Sequence, residues 1–335
     1  MRIALIGCGR ISHAHLQALA GLEGVQVVAL CDTDETLLGR RQEEFGVSSG
    51  FSSLEELLDW GRFEVAGVLT PPHVRKRVCL PLIRAGKHLL VEKPFGRSLQ
   101  TVQAIVEMAE AFNVRLAVDQ NFRWMPPAPQ LREAVGAGRL GRVLAITIHD
   151  TVLRNENQGW RMTTDQLALG VMGVHWFDRI RWITRDEPLQ LFTVTGLSGI
   201  LESHGEDLSS TTIRMRSGIV ATLVHHWASH TRGASSFLQL DGSKASAVVQ
   251  GRTLRWFYED GTREEETLPA VSLSESIRAS WNELLSAIRE NREPVHSGRD
   301  NLWTMAMLDG AYRSAAAGSA VDLISELAEE EGELP

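Results

Sequence analysis

The chain predicts a two-domain α/β protein, a doubly wound parallel sheet followed by a region of helices and antiparallel strands. Three observations lead there. Short apolar runs alternate with helical patterns through the first third of the sequence. The texture then changes after "NFRWMPPAP" to alternating runs separated by turn signals. The length of 335 residues also exceeds what one ordinary core supports.

The first run, "RIALIG" (2–7), precedes a helix from about Arg10. "VQVVALC" (25–31) precedes a polar helix from about Asp34, and "EVAGVLT" (64–70) one from His73. "HLLVEK" (88–93) leads to a helix opening at Ser98, and "VRLAVD" (114–119) closes the series. Continuous Val/Leu/Ile runs separated by helices indicate parallel strands covered on both faces, and right-handed crossovers wind them doubly. The domain boundary falls near residue 120, giving domains at 1–120 and 121–335.

Beyond it, "RVLAITIHD" (142–150) reads as a strand and Thr164 to Ile183 as a helix. From 188 to 258, runs broken by "SG" (217–218), "DGS" (241–243) and "QG" (250–251), and closed by "EDGT" (259–262), read as antiparallel strands. Amphipathic helices follow at about 274–290 and 300–317, then an acidic tail from about 325.

Composition narrows the partners. Apolar content of 43% and charged content of 23% are those of a globular protein. A net charge of −8 argues against a nucleic-acid groove or an anionic membrane surface. No apolar run has the length of a signal peptide or a membrane span. Cys8, Cys31 and Cys79 are scattered and odd in number, which fits reduced thiols in the cytoplasm. Only four of the 34 basic residues are lysines, Lys76, Lys87, Lys93 and Lys244. A lysine in so arginine-rich a chain suggests chemistry that needs a removable proton.

"GCGRIS" supplies Gly7 and Gly9 directly after the first strand and opens a helix, with Ser12 small enough for the third glycine position. Asp32 ends the second strand, where a carboxylate accepts hydrogen bonds from an adenosine ribose. Thr33 follows it, so no arginine stands beside it for a 2′-phosphate, and NAD is favoured over NADP. These residues read as a Rossmann-type dinucleotide site, with Gly7, Gly9, Arg10, Ile11 and Asp32 expected at the cofactor.

With "TPP" (70–72), "AGKHLLVEKPF" (85–95), "NFRWMP" (121–126), "GRLGRV" (138–143), "WR" (160–161), "GVHWFD" (173–178) and "YRSAAAGSAVDL" (312–323), the chain resembles the glucose–fructose oxidoreductase / inositol dehydrogenase / rhizopine-catabolism (Gfo/Idh/MocA) family over nearly its whole length. The resemblance implies a Rossmann domain, then an α/β domain whose large open sheet makes the oligomer. It also implies NAD(P)-linked oxidation or reduction at a carbinol carbon of a sugar, polyol or sugar acid. The resemblance also places Thr70, Pro71, Glu92 and Lys93 at the cofactor, and Lys93, at the carboxyl end of its strand, is expected to hydrogen-bond the reacting oxygen.

The family's helical pattern is Asp-x-Gly-x-His-x-x-Asp. The chain supplies Gly173, His175 and Asp178, but the first aspartate falls on Val171. Several readings follow. His175 takes the substrate proton, oriented by Asp178 at i+3 or by Asp165. Alternatively, NAD is used transiently, as in glycosidic cleavage or epimer exchange, or the protein senses a sugar without turnover. In the blandest reading, His175 is a core histidine satisfied by a carbonyl. Asn121, Arg123, Trp160 and Arg161 are expected near the substrate, with domain packing as the competing explanation for each.

No metal is expected. "HHWASH" carries His225, His226 and His230, but neighbouring strand residues point to opposite faces, and solvated or interface histidines fit better. Arg75 replaces a histidine common in the family and suggests an altered pocket rim. Strand residues such as Trp227, expected on an exposed sheet face, predict a homodimer or homotetramer.

Overall fold

The structure, a computed structural model, describes residues 1–154 and 159–323. They fall into two compact units, Met1–Trp124 with Val271–Leu302, and Met125–Ala270 with the chain from Trp303 onward. A break near residue 120 thus leaves out the return of residues 271–302 to the first unit. The acidic tail from about 325 lies outside the described residues.

In chain order the elements are β1 (Arg2–Ile6), α1 (Arg10–Leu19), β2 (Gln26–Cys31), α2 (Glu35–Phe45), β3 (Ser49–Phe51), α3 (Leu54–Trp60), β4 (Val65–Val68), α4 (Arg75–Arg84), β5 (His88–Val91), α5 (Leu99–Ala111) and β6 (Leu116–Val118). Then come α6 (Ala128–Gly136), β7 (Val143–Thr151), α7 (Val174–Thr184), β8 (Pro188–Gly196), β9 (Leu208–Met215), β10 (Val220–His226), β11 (Phe237–Gly242), β12 (Ala245–Gln250), β13 (Thr253–Tyr258) and β14 (Arg263–Thr267). Helices α8 (Leu273–Arg289) and α9 (Gly298–Ala317) and strand β15 (Val321–Asp322) close the described chain.

The first unit is a six-stranded parallel sheet in the order β3-β2-β1-β4-β5-β6. Strand β3 and helix α3 were absent from the sequence expectation. "SGF" has no apolar run and pairs only at the sheet edge, so periodicity cannot mark it. Helix α8 packs Ile277, Trp281, Leu284 and Leu285 into the core formed by Ile3, Leu5, Leu30, Val65 and Leu90. Gly67 permits this: a Cβ there would lie 2.5 Å from Leu5 and 3.1 Å from Trp281. Trp281 is fully buried as a result.

The second unit holds a nine-stranded sheet, β14-β13-β12-β11-β7-β10-β9-β8-β15. Its strands pair antiparallel except β7 with β10. The helix expected from Thr164 begins as a five-residue π-turn, Leu169–Gly173, and continues as α7. Such turns disturb the 3.6-residue period and recur at functional sites. Trp227 is fully buried, not exposed on the sheet as expected. The apolar residues that are exposed include Phe192 and Val194 on β8 and Val220 on β10. Strand alternation sets them opposite Leu191, Thr193, Ala221, Leu223 and His225, which are buried.

Candidate active site

The expected cofactor residues of the first unit share one edge of its sheet, beyond the carboxyl ends of β1, β2, β4 and β5. Doubly wound sheets bind ligands at that edge. Gly7 has φ +105° and donates to the Cys31 carbonyl at 2.8 Å; a Cβ there would meet the Leu69 carbonyl carbon at 3.0 Å and Thr70 N at 3.1 Å. Gly9 differs. It caps α1 without any side-chain hydrogen bond, and a Cβ on it would meet nothing within 4 Å. A dinucleotide pyrophosphate needs such room at a helix N-terminus, where backbone N–H groups converge.

Ser12 is fully buried, and its hydroxyl donates to Gly9 O at 2.6 Å while accepting from Arg41 Nε at 3.0 Å. The Asp32 carboxylate is oriented by two backbone donors, Cys8 N at 2.6 Å and Asp34 N at 2.8 Å. Each carboxylate oxygen keeps a lone pair for a ribose hydroxyl. Thr70 Oγ1 is buried and has no hydrogen-bond partner among the described residues. Arg10 is exposed and Ile11 half-buried at the start of α1, and Pro71 is half-buried in the turn after β4. These features fit NAD, and Gly7, Gly9, Asp32 and Thr70 would hold it.

Lys93 is half-buried just past β5. Its backbone is held by Arg75, whose guanidinium donates to the carbonyls of Glu92 and Pro94 and, at 2.9 and 3.1 Å, to that of Thr70. Arg75 is 2% exposed, so it is an internal brace and not the pocket-rim residue that the sequence suggested. Burial pushes its pKa down to about 10, with Glu92 and Cys79 working in the other direction. Lys87, by contrast, has a structural role, donating to the carbonyls of Gly61 and Phe63 at 3.0 and 2.7 Å.

Behind Lys93 lies an array that the sequence did not disclose. His15 Nε2 is 3.0 Å from Glu92 Oε1 and 3.6 Å from Asp119 Oδ2, and Trp281 donates its indole N–H to His15 Nδ1 at 3.0 Å. Burial opposes the charged form of Glu92, but the His15 hydrogen bond, with Lys93 and Arg75 nearby, holds its pKa below the usual range. Burial and then the Glu92 charge push Asp119 up to about 7. Among the described residues, these three offer ligand atoms within 4.8 Å of one another, close enough for a metal. The donors argue against one. A neutral histidine binding metal through Nε2 carries its proton on Nδ1, which would face the Trp281 N–H.

Asn121 and Arg123 are buried within the first unit. Asn121 donates to Ser276 Oγ at 2.8 Å, while Arg123 pairs with Asp300 and donates to Val295 O at 2.6 Å. These contacts suit packing better than a substrate clamp.

In the second unit, His175 is 2% exposed on α7. Asp178 Oδ1 accepts from Thr304 at 3.1 Å and lies 3.9 Å from Arg181, so one of its oxygens ties α7 to α9. Val171 sits among Leu167, Ala168, Leu201 and Trp227, with Val152, Trp160 and Met172 packed against them. At 1% exposure in apolar company, the position suits valine and would penalise a carboxylate. Arg161 stands 5.9 Å from the Trp160 ring, and both residues are half-buried. Asp165 is exposed.

Two further supports of the π-turn escaped sequence reasoning. Glu206 accepts from Leu167 N, Leu169 N and the Tyr312 hydroxyl at 2.8–2.9 Å, and Tyr312 accepts from Gly170 N at 3.0 Å. Burial outweighs those donors and raises the Glu206 pKa. His225, expected to be solvated or at an interface, is fully buried with Nδ1 2.9 Å from Asp150. Trp227 donates to its Nε2 at 3.0 Å, and Trp176 to Asp150 at 2.9 Å. His226 points to the other face, as alternation requires.

Comparison with known proteins identifies the family and the fold. A family model described as an oxidoreductase family with an NAD-binding Rossmann fold matches residues 1–120, and the GFO/IDH/MocA C-terminal domain matches 129–248. The chain is 27% identical over 334 residues to a 1,5-anhydro-D-fructose reductase of Ensifer adhaerens, covering 96% of this chain and 98% of the relative. It is 26% identical to a D-apiose dehydrogenase of Paraburkholderia graminis, covering 97% and 90%. A crystal structure of an oxidoreductase from Agrobacterium radiobacter, in complex with NAD+, L-tartaric acid and magnesium, shares the fold. Its TM-score is 0.91 at 23% identity, over 97% of this chain and 99% of the other.

Proposed function

The chain belongs to the GFO/IDH/MocA family of NAD-binding oxidoreductases, and on that premise we propose that it moves a hydride between nicotinamide and a secondary hydroxyl or carbonyl of a sugar, polyol or sugar acid. The observation that carries the reading is the shared sheet edge. The open α1 N-terminus, the oriented Asp32 carboxylate and the Arg75-braced Lys93 all lie along it. Bound NAD would supply the hydride acceptor.

In this reading Lys93 is the catalytic residue that hydrogen-bonds the reacting oxygen and favours negative charge on it. His175 takes the hydroxyl proton, a contribution of roughly 10² to 10⁴-fold. Trp160 offers a flat face to a sugar ring, and Arg161 a donor to its hydroxyls. Named relatives that act on an anhydro-sugar and on apiose favour a polyhydroxylated substrate.

Val171 supports a second reading. Without a carboxylate there, the protein binds NAD and a sugar as a sensor, or uses NAD transiently in glycosidase- or epimerase-type chemistry. We further propose a homodimer or homotetramer, formed through the face carrying Phe192, Val194 and Val220, and residence in the cytoplasm, where the three free, buried cysteines stay reduced. No described helix is long and apolar enough to cross a membrane.

The test is NAD reduction with a panel of inositols, aldoses, aldonic acids and anhydro-sugars, alongside Lys93→Met and His175→Ala. Turnover that both substitutions abolish, with NAD binding intact, supports the dehydrogenase. NAD binding without turnover favours the second reading.

A further inference from the structure

The array of His15, Glu92 and Asp119 contains more acid than it has donors. The indole N–H of Trp281 can only donate, so His15 Nδ1 accepts, and the imidazole proton lies on Nε2. That single N–H faces two carboxyls, Glu92 at 3.0 Å and Asp119 at 3.6 Å. A second proton on the ring would point at the indole N–H. Glu92 is 6% exposed and Asp119 is 1% exposed. Two carboxylate charges so close in the interior are costly, and such pairs hold one proton between them.

Asp119 is the member that takes it. The nearer contact from His15 goes to Glu92, which also has the Arg75 charge in its favour. Asp119 Oδ1 is buried and accepts no hydrogen bond among the described residues; the Ser280 hydroxyl lies near but does not complete one. An unsolvated carboxylate oxygen without a donor is far more costly than a protonated one. The array is also well placed. Glu92 directly precedes Lys93 in sequence, and Asp119, which donates its backbone N–H to Val91 O at 2.8 Å, follows the neighbouring strand β6. Lys93 is close enough to favour the ionised form of both carboxyls.

We propose that Asp119 is a positioning residue for Lys93: with Glu92 and His15 it holds one proton in the interior, so that a single negative charge stands behind the ammonium while Asp119 is protonated and two when it is not. The inference rests on the reading of Lys93 as the group at the reacting oxygen. The charged and titratable groups facing the pair are His15 from α1, Arg75 from α4 and Lys93 itself, with Ser280 from α8 adding a hydroxyl. Loss of the Asp119 proton makes Lys93 hold its own more tightly. An amine that must exchange a proton during turnover is thereby tuned from behind.

The test uses the full chain and two readouts. In infrared difference spectra across pH, the wild type is expected to lose a protonated-carboxyl C=O band as pH rises through about 7. Asp119→Asn abolishes that change, and Glu92→Gln moves it to lower pH by removing the like charge. Should either variant fail to fold, the wild-type titration alone decides. The second readout is Lys93 acylation by acetic anhydride, followed by mass spectrometry. Asp119→Asn is expected to speed it on the order of tenfold at alkaline pH, the effect of about one pKa unit. No neutral-range carboxyl band in the wild type, or unchanged Lys93 reactivity in a folded Asp119→Asn, overturns the proposal. The band and the shifted reactivity without turnover on any sugar would leave the array standing and remove the dehydrogenase. Turnover without the band would do the reverse.

Discussion

Arg75 donates to the carbonyl of Glu92, the residue before Lys93, and to that of Pro94, the residue after it. A buried guanidinium thus fixes the backbone on both sides of the lysine and ties it to the turn at Thr70. Arg75→Ala strands buried carbonyls, each costing roughly 1–3 kcal/mol. Thermal unfolding is expected to show a loss of about 3 kcal/mol, with kcat falling more than NAD affinity. Arg75→Lys keeps the charge but cannot fork between three carbonyls, and should fall between the two. A stable Arg75→Ala with full activity would show that the brace is dispensable.

The two glycines of the nucleotide turn should fail differently. Gly7→Ala meets backbone at 3.0 Å and a φ of +105°, so it should destabilise the fold by about 1–3 kcal/mol. Gly9→Val meets no protein atom within 4 Å of its Cβ, so it should cost stability less than Gly7→Ala, at most about 1 kcal/mol for an apolar residue at the helix cap. Its larger cost is expected at the ligand, with NAD affinity weakened by about tenfold or more, equal to about 1.4 kcal/mol. Calorimetric titration and thermal melts on both variants separate the cases. A Gly9→Val protein that binds NAD normally would place the cofactor elsewhere.

Much of this edge was legible in the sequence, because it is local. "GCGRIS", Asp32 and "EKP" each sit within a few residues of a strand end, and strand ends are marked by apolar runs. The His15 array was not legible. Its members lie at positions 15, 92, 119 and 281, and only the return of α8 to the first sheet brings Trp281 to the histidine. Arg75 stands out in the sequence only as a departure from the family's histidine, and nothing local says that an arginine will be buried. The π-turn was invisible for a physical reason: one wider turn breaks the helical period that a sequence reading follows. Trp227 and His225 were misplaced because alternation tells which residues share a face, not which face is covered.

Val171→Asp tests why the family's aspartate is missing. The new carboxylate would enter a cluster of Leu167, Ala168, Leu201 and Trp227. Burial without a partner should cost on the order of 3 kcal/mol and raise the acid's pKa. A lowered unfolding temperature, with no gain in turnover, is expected. Unchanged stability together with faster turnover would mean that the pocket accommodates the family's pairing of aspartate and histidine.

Stability against pH carries the signature of the buried pair. Asp119 has a raised folded pKa, so between 3.8 and about 7 the native state binds more protons than the unfolded chain. Its contribution is complete below that window and is lost as pH rises through it. Glu92, held low in the folded state, acts oppositely and loses its contribution as pH falls below its ordinary value near 4.5. Denaturant titrations of Asp119→Asn should therefore show a flatter decline than the wild type from pH 4 to pH 7. Identical slopes would mean that Asp119 does not carry the proton.

The most direct measurement is nicotinamide absorbance when the wild type and Lys93→Met are mixed with NAD and a panel of neutral sugars, polyols and sugar acids. Reduction of NAD by at least one panel member, lost in Lys93→Met while NAD binding persists, is the predicted result. Turnover that survives Lys93→Met would contradict the account, because the brace, the array and the sheet edge all converge on that one amine.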